Sequence, residues 1–259
     1  MSNKIKDAFK NGKAFIPFIT CGDPDLETTK KLVYELEKKG ASIIELGIPF
    51  SDPTAEGEVI QGANIRALKN NITTDNIFDM IKTLEVKVPL VIMTYANIVY
   101  SYGIEKFCNN CKSSGVSGLI LPDIPFEEKE EFSKTFQENG VDFISLIAPT
   151  SNDRIKMIAK EAKGFVYCVS SLGVTGVRQN IVTDIDSMVA SVREVTDIPI
   201  AIGFGISTPS QAKVMAEKAD GVIVGSAIVN IIGEYGKNSV EEVSRYVSSI
   251  VNEIRWLKN

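Results

Sequence analysis

The 259-residue chain contains no histidine. Its absence removes the usual general acid/base at neutral pH, and with it every Ser-His-Asp and Cys-His device. Any proton transfer falls to carboxylates, Lys, Tyr, Cys or Ser. Metal chemistry is poorly provided for as well. Of the four cysteines (Cys21, Cys108, Cys111, Cys168), only Cys108 and Cys111 form a CxxC pair, inside the helical pattern IEKFCNNCKSSG, where a zinc site would need two more ligands. The expectation is no metal and two reduced helix cysteines. Long uninterrupted apolar runs are lacking, so no segment reads as a membrane span. The opening MSNKIKDAFKNGKAF has no apolar core of a secretory signal, which points to a cytoplasmic protein. Cations are scattered and the net charge is −5, arguing against a nucleic-acid surface.

What is present is a regular alternation. With 44% apolar residues the chain can bury a large core, and nothing interrupts it as a linker would, so residues 1–259 read as one domain. A short amphipathic helix is expected at 2–10. Eight apolar, strand-like runs follow, at 14–20, 42–48, 89–94, 118–121, 142–147, 165–169, 199–202 and 221–224, each succeeded by a helical pattern. After the third run the helix is expected from 104, after the sixth from 184, and a short extra helix at 226–233 follows the eighth. Strict alternation implies parallel strands with right-handed crossovers. Eight units in this length predict an α/β fold, a (β/α)8 TIM barrel with an extra N-terminal helix and a short extra helix after strand 8. A doubly wound open sheet is the alternative, but it does not call for eight units, and no GxGxxG follows the first strand.

In a barrel the active site lies at the C-terminal strand ends. The stretch IIELGIPFSDPTAEGEVIQGAN, residues 43–64, places Glu45 among strand apolars and continues into a loop carrying Asp52, Glu56 and Glu58. A carboxylate in such a run needs a partner or a task unless it sits at a wet strand edge. Gly203 and Gly205 after the seventh strand, and Gly225-Ser226 opening the extra helix, suit a phosphate, because glycines admit backbone N–H groups close to an anion and a helix N-terminus faces it. Gly173 and Gly176 belong to a long polar loop after the sixth strand, with the length of a lid. Phe18, Tyr95, Tyr167 and Phe204 fall at or near strand ends. They either fill the barrel core or wall a pocket for a flat apolar group.

The motifs ELGIPFSDPTAEGEVIQ, TYAN at 94–97, LPDIP at 121–125, LGVTG at 172–176, GFGIS at 203–207 and VGSAIV at 224–229 together resemble the tryptophan synthase α subunit family, in register over nearly the whole chain. The resemblance implies a lyase that splits indole-3-glycerol phosphate into indole and glyceraldehyde 3-phosphate. By motif position it makes Glu45 the acid/base that protonates indole C3 and later takes the glycerol hydroxyl proton. It makes Glu56 the carboxylate on the indole N–H, and Thr175 the residue orienting that carboxylate. Gly176, Gly205, Gly225 and Ser226 match phosphate-site positions; Phe18, Tyr167 and Phe204 match indole contacts. Asp52, with Pro53 beside it, matches the region that touches a β subunit in an αββα complex. Pyridoxal phosphate would belong to that partner, and this chain would carry no cofactor. One departure stands out: the family pattern DPxADG has aspartate where this chain has Glu56. On the motif alone, Glu56→Asp is expected to keep or improve the rate. A different class of function, a regulatory subunit that binds the phosphate ligand and activates β with impaired chemistry of its own, fits the same motifs.

Overall fold

The computed structural model describes residues 4–169, 180–203 and 205–257. Nine parallel strands form one sheet: β1 (Ala14–Thr20), β2 (Ile44–Gly47), β3 (Leu90–Met93), β4 (Val116–Ile120), β5 (Asp142–Phe143), β6 (Ser145–Ile147), β7 (Val166–Val169), β8 (Ile200–Gly203) and β9 (Gly221–Val224). Their order, β5-β4-β3-β2-β1-β9-β8-β7-β6, begins and ends on chain neighbours. β5 and β6 are two stretches of one barrel strand, broken at Ile144. β5 pairs with β4 and β6 with β7, while the Ile144 N–H donates to the Leu119 carbonyl at 2.9 Å. The nine stretches therefore amount to the eight expected barrel strands.

Side chains alternate across these strands as a pleat requires. Ile16, Phe18, Val91, Met93, Tyr167 and Ala201 belong to the cluster inside the ring, whereas Phe15, Ile19, Leu46, Ile92 and Val166 pack in the outer layer beneath the helices. The N-terminal mouth is closed by α1 (Lys4–Asp7) and the turn after it. Ile5 and Phe9 are buried there, and the Phe9 ring lies 5.8 Å from that of Phe165. The plug fits tightly: a Cβ at Gly118 would come within 2.9 Å of Ile5 Cδ1.

Helix α2 (Leu26–Lys38) starts as the motif suggests, with the Asp25 carboxylate accepting from the Thr28 N–H at 2.7 Å. Two helices, α3 (Glu58–Lys69) and α4 (Thr74–Lys82), follow β2. The segment after β3 departs from expectation. Helix α5 (Ala96–Tyr102) precedes α6 (Ile104–Ser113), where only a helix from 104 is expected. Its N-terminal cap is supplied from a distant loop: both Asp123 carboxylate oxygens accept from the Ala96 N–H at 3.1 Å. No local pattern advertises a cap 27 residues away. α7 (Glu130–Glu138) and α8 (Asn152–Lys160) follow the fourth and fifth barrel strands, and α9 (Asn180–Arg193) begins four residues earlier than the periodicity indicates. α10 (Pro209–Lys218), the short α11 (Ser226–Tyr235) and α12 (Ser239–Ile254) complete the ring. Among the described residues no helix is long and apolar enough to cross a membrane.

Candidate active site

Glu45 lies mid-sheet, paired through its backbone with Phe18 on β1 and Val91 on β3. It is 1% exposed, and neither carboxylate oxygen has a hydrogen-bond partner. The wet strand edge is thereby excluded. Burial without a partner penalises the charged form, and the nearby Glu56 adds repulsion, so the Glu45 carboxyl is pushed up to about 8. At neutral pH it holds its proton and is ready to give it up.

The loop after β2 brings the second carboxylate over the barrel mouth, and Tyr95 fixes that loop. The Tyr95 hydroxyl accepts from the Thr54 N–H at 3.1 Å and the Ala55 N–H at 3.0 Å, while its ring packs 5.0 Å from Phe50. Tyr95 is thus a clasp on the loop as much as a wall. α3 holds the other side: Asn64 Nδ2 donates to Glu56 Oε2 at 2.9 Å, and Gln61 Nε2 donates to the Glu56 carbonyl at 2.7 Å. Burial raises the Glu56 pKa, and hydrogen bonds from Asn64 and Tyr95 pull it back. The site thus holds two carboxyls under different control, one without partners in the sheet and one satisfied on a loop. Asn64 and Gln61 lie inside the 43–64 motif, but their helical spacing gives no hint that they reach back to Glu56.

The remaining candidates fall into three groups. Phe18 and Tyr167 are buried inside the ring and lie over glycines. A Cβ at Gly47 would sit 2.6 Å from Phe18 Cζ, and one at Gly203 would sit 2.6 Å from the Tyr167 hydroxyl. Burial first, and the carboxylate form of Glu45 second, drive the Tyr167 phenol well above its ordinary value, so it stays protonated. After β8, Gly205 takes φ +75, and after β9, Gly225 is the N-cap of α11 and has no side chain of its own to cap the first turn. Such an end is an anion seat. Gly225 also abuts the Phe18 ring, so the anion seat and the ring wall adjoin. Asp52 is exposed and Pro53 half-buried on the outer rim of the Tyr95-clasped loop. Thr175, Gly176 and Phe204 lie outside the described residues. A cavity of about 510 Å³ runs from Ala55 along Leu121, Phe126, Ile144 and Val169 to Lys129 and Arg154; neither Glu45 nor Glu56 lines it.

The chain matches the family model described as "Tryptophan synthase alpha chain" over residues 5–255. The chain belongs to the tryptophan synthase alpha chain family. The alpha chain of Lacticaseibacillus casei is 46% identical over 252 residues, covering 96% of this chain and 95% of that one. The solved alpha subunit of Campylobacter jejuni superposes with a TM-score of 0.86 at 33% identity, covering 93% of this chain and 97% of that one. A tryptophan synthase complex from Pyrococcus furiosus contains a chain similar at TM-score 0.84 and 34% identity, covering 93% and 99%. As a tryptophan synthase alpha chain the protein is a lyase, cleaving indole-3-glycerol phosphate to indole and glyceraldehyde 3-phosphate. Set against the family's DPxADG pattern, the longer Glu56 is engaged by the Asn64 amide and the Tyr95 hydroxyl.

Proposed function

We propose that Glu45 and Glu56 divide the lyase reaction between them. The Glu45 carboxyl, protonated at neutral pH, gives its proton to indole C3, leaving positive charge on the ring nitrogen. Glu56, held by Asn64, accepts the indole N–H in its carboxylate form and offsets that charge. The Glu45 carboxylate then takes the proton of the glycerol hydroxyl next to the ring. The C–C bond breaks as the C=O of the aldehyde forms, and its electrons return to the indole. Glu45 ends the cycle protonated, as it began. Desolvation lets one carboxyl act as acid and then base near neutral pH.

The substrate phosphate is received by the backbone amides of Gly225 and Ser226 and the turn at Gly205, with Gly176 assigned to the same site by motif position. Phe18, Tyr167 and, by motif position, Phe204 wall the indole, Tyr95 holds the loop that carries Glu56, and Thr175 is assigned by motif position to orient that carboxylate. Residues 1–259 act as one cytoplasmic barrel domain. The partner is the tryptophan synthase β subunit in an αββα complex, met through Asp52 and Pro53. Pyridoxal phosphate belongs to β, and no cofactor to this chain. The single observation supporting the residue assignment is the buried, unpartnered Glu45 carboxyl raised to about 8 beside Glu56.

The test is indole release from indole-3-glycerol phosphate, with and without β. Turnover that rises with β and disappears in Glu45→Gln is expected. Undiminished turnover in Glu45→Gln would remove it as the acid/base. An unchanged rate in Glu56→Ala would remove the second carboxylate from the mechanism.

A further inference from the structure

The turn after β1 holds a carboxylate that the reaction above does not use. Asp23 is 1% exposed, and both of its oxygens are taken by one guanidinium: Arg66 Nε donates to Oδ1 at 2.8 Å and an Arg66 terminal nitrogen to Oδ2 at 2.7 Å. Arg66 belongs to α3, the helix that carries Gln61 and Asn64. Its guanidinium lies in a slot between two glycines. A Cβ at Gly62 of α3 would come within 3.4 Å of it, and one at Gly233 of α11 within 2.9 Å. The Asn70 amide of the same region adds a bond to the Pro24 carbonyl. Three segments therefore meet at one charge pair: the β1 turn, the helix that grips Glu56, and the helix whose N-terminus faces the anion seat.

We propose that the Asp23–Arg66 pair is a positioning device for the lyase reaction, setting the seat of α3 against α11 and so the placement of the Glu56 carboxylate relative to Glu45 and the phosphate end. The inference rests on the reading of Glu56 as the second carboxylate. The chemistry of the pair supports geometry over bulk stability. Asp23 is buried but the Arg66 side chain is 38% exposed, and such an ion pair adds little net stability, whereas a bidentate guanidinium–carboxylate contact fixes distance and orientation together. Gly233 and Ser226 are seven residues apart on one helix, about two turns, so a shift of the slot is carried rigidly to the anion seat. A displacement of about 1 Å at a reacting group is enough to cost up to 100-fold in rate.

The experiment compares Arg66→Lys, which keeps the charge but loses the fork, with Gly233→Ala, which keeps both charges and obliges the guanidinium to shift within its slot. Lys237→Ala, removing a surface contact to Asp25, is the control expected to behave as wild type. The readouts are kcat and KM for indole-3-glycerol phosphate and the pH profile of kcat. Glu56 and Tyr167 are the titratable groups facing Glu45; burial first and repulsion from Glu56 second hold the Glu45 pKa up, so moving the two carboxylates apart lowers the upper limb by the smaller, repulsive share. Both variants are expected to lose about tenfold in kcat, with the upper limb moving to lower pH. Wild-type kcat and an unmoved limb in either variant, whatever its thermal stability, would overturn the proposal, as would a rise in KM alone. Glu56→Gln separates the two levels. A wild-type rate there would remove the reading on which the proposal rests. A lost rate there, with Arg66→Lys and Gly233→Ala unaffected, would overturn the positioning device alone.

Discussion

The two mouths of the barrel are built from inward-facing positions on the same strands, yet they are finished in opposite ways. At the N-terminal mouth Ile5 and Phe9 fill the ring, and Gly118 makes room for them. At the C-terminal mouth the polar groups are left wanting. Of the five buried side-chain polar atoms without partners among the described residues, four sit there: Thr20 Oγ1, Thr94 Oγ1 and both oxygens of Glu45. Each such atom costs about 1–3 kcal/mol, and each fully buried apolar side chain contributes about 1.5–3 kcal/mol. The closed mouth thus helps to offset the cost of the other, and the chemistry proposed for Glu45 falls where the fold is least satisfied.

The comparison breaks most visibly at Glu45. Its folded-state pKa of about 8 stands above the ordinary value of 4.5, so the folded protein keeps a proton that the unfolded chain releases. Stability from this group is therefore present below pH 4.5 and lost as pH rises toward 8, a deficit of ~3 kcal/mol at pH 7. Glu45→Gln is expected to lower turnover by roughly 10³-fold and, at pH 7, to raise the thermal midpoint. Indole release and thermal unfolding measure the two effects, and a variant no more stable than wild type would refute the account of the deficit. In wild type, kcat should fall as pH climbs through about 8.

At the other mouth Phe9→Ala should cost ~3–5 kcal/mol in denaturant unfolding while leaving kcat per folded molecule unchanged. A matching loss of kcat would mean that the two ends are not independent. Glu56→Asp sharpens the contrast within the site. The motif alone suggests that aspartate keeps or improves the rate, whereas the bond from Asn64 and the clasp of Tyr95 lead to the reverse expectation. A side chain shorter by one methylene gives up the Asn64 contact, and a loss of about 10- to 100-fold in kcat is expected. The smallest effect belongs to Thr20→Val, which removes an unpartnered hydroxyl at nearly constant shape and should stabilise the protein by ~1 kcal/mol in thermal unfolding.

Much of this architecture could be read from local pattern. The eight apolar runs fall on the observed barrel strands because a buried parallel strand has no other way to appear in sequence, and Asp25 caps α2 as its position announces. Glu45 stood out for the same reason, as a charge where the pattern demands apolar residues. What stayed hidden depends on contacts between distant segments. Helix α5 takes its cap from Asp123, the guanidinium of Arg66 finds Asp23 across 43 positions, and Asn64 reaches back to Glu56 only because the loop after β2 folds over the mouth. The split of the fifth barrel strand at Ile144 likewise follows from ring closure and leaves no local mark.

The register of Glu45 has a consequence for timing. Its strand is paired with β1 on one side and β3 on the other, so the proposed acid is a fixed post whose only freedom is rotation of its own side chain. Glu56 hangs on a segment outside the ladder, secured by three side chains. A signal that alters when the reaction fires has nothing to grip at the post and much to grip at the loop. A partner meeting the proposed rim contacts Asp52 and Pro53 would act on the loop that carries Glu56, and so on the switchable half of a two-part device.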